Sequence, residues 1–170
     1  MIVAETNRLL ILKFTLKDAP FFLELVNSPN WIKYIGDQNT KTVKDAEERI
    51  REGHLKSYKS TGFGFYKLLL KAENNKPIGT CGLIKRDTLD DVDMGFAMLP
   101  HYEGIGIGYE ASKEVIKLAK QRFNLKRLVA ITNPDNKNSI KLVEKLGFTF
   151  EKCVKPFADD EELLLFAKKI

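Results

Sequence analysis

"DMGFAMLPHYEGIGIGYEA", residues 93–111, decides how this chain is read. It runs from an apolar, strand-like stretch through Pro100 into three glycines at alternating positions, Gly104, Gly106 and Gly108, and then into a helix-like stretch. Glycine weakens regular structure, so three of them need a reason. A sharp bend is one. Close approach of the backbone to a phosphate is the other, because the first N–H groups of a helix have no partner within it and the helix dipole adds partial positive charge there. A dinucleotide site fits poorly. It needs G-x-G-x-x-G inside a βαβ unit, whereas here the spacing is G-x-G-x-G and the preceding strands read as hairpins.

Upstream, "NRLLILKFTLKD" (7–18) reads as an opening strand, and "KDAPFFLELVNSP" (17–29) as an amphipathic helix with Asp18 as N-cap and Pro20 in its first turn. Residues 43–59 carry charge-rich helical spacing. "GFGFYKLLLKA" (62–72), the turn "ENNK" and "PIGTCGLIKR" (77–86) form a hairpin, and "DVDMGFAMLP" (91–100) is a fourth strand. After the glycines, Ala111, Val115, Leu118 and Ala119 share a helical face. "KRLVAIT" (126–132) is a buried strand and "DNKNSIKLVEKLG" (135–147) a helix, with Gly147 at its C′ end. "FTFEKCV" and "ELLLFAKKI" close the chain as two strands. This order predicts an α/β (α+β) fold: one mixed, largely antiparallel sheet of about seven strands with helices on both faces, in a single domain over residues 1–170.

Composition narrows the function classes. Of the 170 residues, 44% are hydrophobic and 30% charged, which excludes disorder. The net charge of +5 is scattered, with no basic arm and no aromatic–basic stacking motif, so nucleic acid is not the expected partner. No apolar run approaches bilayer length, and the first ten residues lack a basic region followed by an apolar one; a soluble cytoplasmic protein is expected. Cys81 and Cys153 then read as reduced core or near-core residues.

A second stretch, "NPDNKNSIKLVEKLGF" (133–148), opens a helix with Asn136 and Ser139. By itself it is explained by capping. It stands one strand downstream of the glycines, and the two together carry more than either. With "TNRLLILKFTLKDAPFFLELVNSP" (6–29), they resemble the GNAT superfamily of acyl-CoA-dependent N-acyltransferases, in particular its RimJ/RimL-type branch of ribosomal-protein N-terminal acetyltransferases.

The resemblance implies acetyl-CoA as donor, with no metal. Its pyrophosphate would lie on the amides of Gly104, Ile105, Gly106, Ile107 and Gly108, its pantetheine would pair with the strand near Phe96 and Met98, and Asn136 and Ser139 would face the thioester end. Two positions depart from the family pattern. Glu103 stands where the loop commonly begins with Gln or Arg, and Val143 stands where many members carry a tyrosine general acid. Ser139 would take that role.

The amine must lose a proton to attack the thioester. Asp93, on the fourth strand where the family often carries an acid, is one candidate base; Glu162, opening the last strand, is the second. Either could equally belong to a solvated acidic run. Trp31 lines the acceptor pocket or anchors the core, His101 is a loop histidine beside the glycines, and His54 on its charged helix carries no signal. The expected function is direct transfer of acetyl to a primary amine, whether a protein N-terminus, an amino acid or a small amine, by a monomer or homodimer. The acidic stretches 90–93 and 159–162 could draw a cation. The alternative is a non-catalytic acyl-CoA-binding module or sensor with the same fold.

Overall fold

Alternation builds the sheet. In β3 (Phe65–Leu70), Tyr66, Leu68 and Leu70 are buried while the residues between them are half-exposed. In β4 (Lys76–Ile84), every residue from Ile78 to Leu83 is buried, the mark of a central strand covered on both faces. The computed structural model describes residues 1–170. Its sheet has eight strands in the order β1-β2-β3-β4-β5-β6-β8-β7, completed by β1 (Ile2–Glu5), β2 (Leu9–Lys13), β5 (Val92–Met98), β6 (Arg127–Thr132), β7 (Thr149–Val154) and β8 (Leu163–Lys169). All neighbours are antiparallel except β5 and β6.

The mixed sheet with helices on both faces is as expected, with one strand more than the seven read from the sequence. The addition is β1, which pairs with β2 at the sheet edge. It has four residues and no buried side chain, so it leaves no alternation to read. The region between β2 and β3 is also more divided than expected. It holds α1 (Ala19–Val26), the short α2 (Pro29–Tyr34), α3 (Val43–Arg49), a wide π-helical turn (Ile50–Leu55) and α4 (Lys56–Thr61).

Two further helices frame the glycine region. In α5 (Ile107–Gln121), Ile107, Ala111, Val115 and Ala119 fall at four-residue steps and are buried, and the helix lies against β4 and β5. Helix α6 (Lys137–Lys145) ends at Gly147, whose φ of 87° lets the Gly147 and Phe148 amides turn back to the carbonyls of Glu144 and Val143. Cys81 is buried against Ser112, with its thiol pKa pushed up to about 12 by burial. Cys153 corrects the expectation of a near-core residue: β7 is an edge strand and Cys153 is exposed on it.

Candidate active site

The site begins where two strands part. β5 and β6 pair only at Val92↔Leu128 and Asp93↔Val129. Beyond those pairs β5 continues to Met98, hydrogen-bonded to β4 on one side and open on the other. Met94, Gly95, Phe96, Ala97 and Met98 line the resulting cleft of about 760 Å³. Phe96 and Met98 therefore stand on a free strand edge, able to pair with an extended ligand as another strand would.

The glycine stretch sits at the end of this edge. Gly104 and Gly106 have φ of 72° and 81°, a left-handed backbone that favours glycine, and Gly106 is the N-cap of α5. Gly104, Gly106 and Gly108 line the cleft, whereas Ile107 is buried in the core and Ile105 is exposed. The alternation thus turns the isoleucine side chains away, and Ile105 and Ile107 can contribute only backbone amides to a ligand. A Cβ at Gly104 would meet nothing within 4 Å, so the loop is open there. At Gly108 a Cβ would lie 3.0 Å from Leu142 Cδ2, so this glycine also lets α5 approach α6.

A clamp from the sheet holds the loop. Arg8, just before β2, donates from Nη1 to the carbonyl of Ile105 (2.9 Å) and from Nε to Glu110 in the first turn of α5 (2.6 Å). Glu110 also accepts from the Thr6 hydroxyl and the Arg8 amide. Burial works to raise the Glu110 pKa, but these bonds outweigh it and hold the carboxyl below its ordinary value. Glu103 turns toward α2, where it accepts from Asn30 Nδ2 at 2.7 Å.

On the opposite wall, Asn136 caps α6 by accepting from the Ser139 amide at 3.1 Å. The capping role and a place on the cleft are compatible. The amide oxygen is used by the cap, and both Asn136 and Ser139 line the cavity. Val143 lines it too, with only 1% of its surface exposed.

The two candidate bases part company. Asp93 is buried at the point where β5 and β6 separate, and it lines the cleft. Its Oδ2 accepts from Arg86 Nε at 2.8 Å, while Oδ1 is shielded from water and has no protein partner. Burial pushes its pKa up to about 6, against the pull of Arg86. Glu162 is exposed, lies just before β8 (Leu163–Lys169) rather than opening it, and does not line the cleft; its neighbour Glu161 does, bonded to Asn133. Three of the seven acids in the stretches expected to draw a cation are paired within the chain: Asp91 with Arg127, Asp93 with Arg86 and Asp160 with Lys155.

The far end of the cleft is aromatic. Trp31 lines it and also packs edge-on against Phe22, with centroids 6.4 Å apart. His54, not expected at the site from its charged helix, also lines the cleft, set against Phe14 at 4.4 Å and Phe22 at 5.0 Å. Desolvation, then the charge of Arg49, lowers its pKa to about 4. One clue to His54 was available, since it continues the four-residue stripe of buried Ala46 and Ile50. His101 packs edge-on against Tyr102 at 5.3 Å and is not on the cleft. No cluster of His, Cys, Asp or Glu suits a metal ion, and no helix is long and apolar enough to cross a membrane.

Known proteins share this architecture. An uncharacterised N-acetyltransferase of Bacillus subtilis, YnaD, is 26% identical over 153 residues, covering 88% of this chain and 86% of that protein. RimL, a ribosomal α-N-protein acetyltransferase solved in complex with coenzyme A, superposes with a TM-score of 0.81 at 16% identity, over 100% of this chain and 98% of that one. The microcin C7 self-immunity acetyltransferase MccE, solved with acetyl-CoA and AMP, gives 0.81 at 20% identity, over 97% and 94%. The sequence model described as an acetyltransferase (GNAT) domain matches residues 8–149, most of the length and every element from β2 to α6, and the chain belongs to that family of acetyltransferases.

Proposed function

We propose that this GNAT acetyltransferase is a single catalytic domain over residues 1–170 that moves acetyl directly from acetyl-CoA to a primary amine. The observation that carries the reading is Asp93: a buried carboxylate with an unpartnered oxygen, at the mouth of the β5–β6 split, with a pKa of about 6. A surface acid in a mere binding module has no need of that environment. The cavity suits the donor, with loop amides at 104–108 for a pyrophosphate and the open edge at Phe96 and Met98 for an extended arm. Acetyl-CoA supplies the activated thioester.

Asp93 Oδ1 takes the proton of the incoming ammonium, directly or through water, and the freed amine attacks the thioester carbonyl. The Ser139 hydroxyl donates a proton to the departing thiolate and recovers one from the acylated nitrogen, which must shed its second proton to become the amide, so the products are the N-acetyl amine and free CoA thiol. Acceptor basicity decides what this base can serve. An α-ammonium, with pKa near ~7.8, lies about 2 units above Asp93, or about 2.5 kcal/mol; a lysine ammonium, near ~10.4, costs about 6 kcal/mol. The site therefore favours the α-amine of a peptide or protein N-terminus, as in the RimJ/RimL-type enzymes, over a lysine side chain; amino acids and small amines, which are more basic, are the other acceptor classes. A cytoplasmic setting, where acetyl-CoA is made, suits this reading.

The test is release of free CoA thiol from acetyl-CoA across a panel of peptides, amino acids and polyamines. Amine-dependent release, falling by about 10²–10⁴ in Ser139→Ala, is expected. CoA binding without release by any amine would overturn the proposal in favour of a sensor.

A further inference from the structure

The aromatic end of the cleft holds a cation without an anion. Arg49 closes α3, is half-buried and lines the cavity. Its one polar contact runs from Nη1 to Thr40 Oγ1 at 3.1 Å, and it belongs to no salt bridge. The three acids on the cleft are engaged elsewhere: Asp93 with Arg86, Glu103 with Asn30 and Glu161 with Asn133. Burial alone lowers the Arg49 pKa, with no carboxylate to offset it.

Two more polar groups share its surroundings. The Arg49 guanidinium carbon lies 5.9 Å from the centre of the Phe22 ring, the ring that also meets Trp31 and His54. Trp31 Nε1 and His54 Nδ1 are both shielded from water and have no protein partner. Indole and guanidinium nitrogens can only donate, so what is missing at this place is a hydrogen-bond acceptor. His54 is neutral at pH 7 and adds no second charge. One formal positive charge, presented on a planar fork beside a second donor, complements a planar monoanion. A phosphomonoester dianion would ask for another cation.

We propose that Arg49, Trp31 and His54 form a carboxylate-binding subsite around Phe22, so that the acceptor is a primary amine that itself carries a carboxylate. The inference rests on the acetyltransferase reading for the fate of the amine, but not for binding of the anion.

Trp31 is the only tryptophan in the chain, so its fluorescence reports on this subsite without turnover. The 170-residue protein is titrated with N-acetyl amino acids, their carboxamides, a matched phosphomonoester and spermidine. The N-acetyl amino acids should bind about tenfold or more tighter than their carboxamides, as charge-assisted pairing requires. Arg49→Met should bring that ratio to about 1, and Arg49→Lys should keep part of it, with circular dichroism showing both variants folded. Equal affinity for carboxylate and carboxamide, tighter binding of the phosphomonoester or spermidine, a preference that survives Arg49→Met, or no response to any ligand would overturn the subsite. The thiol-release assay separates the two readings. Carboxylate preference without thiol release keeps the subsite and sinks the enzyme, whereas turnover of neutral or polycationic amines alone does the reverse.

Discussion

Arg8 and Glu110 stand 102 positions apart and meet at 2.6 Å, so that the turn between β1 and β2 grips the first turn of α5. The same guanidinium holds the carbonyl of Ile105, in the middle of the glycine loop. The pair orders the backbone of the loop, and neither side chain lines the cleft. Glu110→Gln or Arg8→Met should therefore weaken CoA binding by about 3–10-fold while kcat at saturating acetyl-CoA changes little. Calorimetric titration with CoA and a kcat against KM comparison check this.

For Asp93 the readout is a pH profile. With a peptide α-amine acceptor, kcat/KM should rise through a lower limb near about 6, where Asp93 ionises and can take the ammonium proton. Asp93→Asn should remove the lower limb and reduce kcat by about 10²–10⁴. An intact lower limb in that variant would assign the base elsewhere.

Asp93 and His54 act on stability in opposite senses over the same pH range. Asp93 has a raised folded pKa, about 6 against 3.8, so its contribution is present below about pH 4 and lost as pH rises through 6. His54 has a depressed one, about 4 against 6.5, so its contribution is present above 6.5 and lost as pH falls toward 4. Each amounts to about 3 kcal/mol, and the two nearly cancel. Measured against wild type by urea unfolding at pH 4.5 and 7, Asp93→Asn should lose relative stability on acidification, and His54→Gln should gain it.

Gly104 gives the cleaner test of the glycine loop, because Gly108 substitutions would also press on Leu142. A side chain at Gly104 meets open space but must adopt a left-handed φ, which costs about 1–2 kcal/mol. Gly104→Val should fold and yet bind CoA more than about tenfold weaker, since the added bulk blocks approach to the amides. Wild-type protein at about 100-fold excess of CoA over Kd should gain about 2.7 kcal/mol, raising Tm by roughly 5–10 °C, whereas NAD should not shift it.

What was legible in the sequence is what short-range physics writes there. Strand alternation, the Asn136 cap, the Gly147 terminator and the Gly104–Gly108 loop each depend on residues a few positions apart, and they sufficed for seven of the eight strands, for the two helices that frame the cleft and for the family. Tertiary structure decided the rest. The edge strand β1 exists only because β2 offers it hydrogen bonds, and β8 inserts between β6 and β7 in an order no local pattern encodes. Asp93 is singled out from its acidic run because β5 is held by β4 on one side and leaves β6 just after it. Glu162 lies off the cleft, and its neighbour Glu161 lines it instead. Arg8, Arg49 and His54 acquire meaning only through partners far along the chain. A side chain's charge state and ligand depend on which distant groups surround it, and chain folding alone brings those groups together.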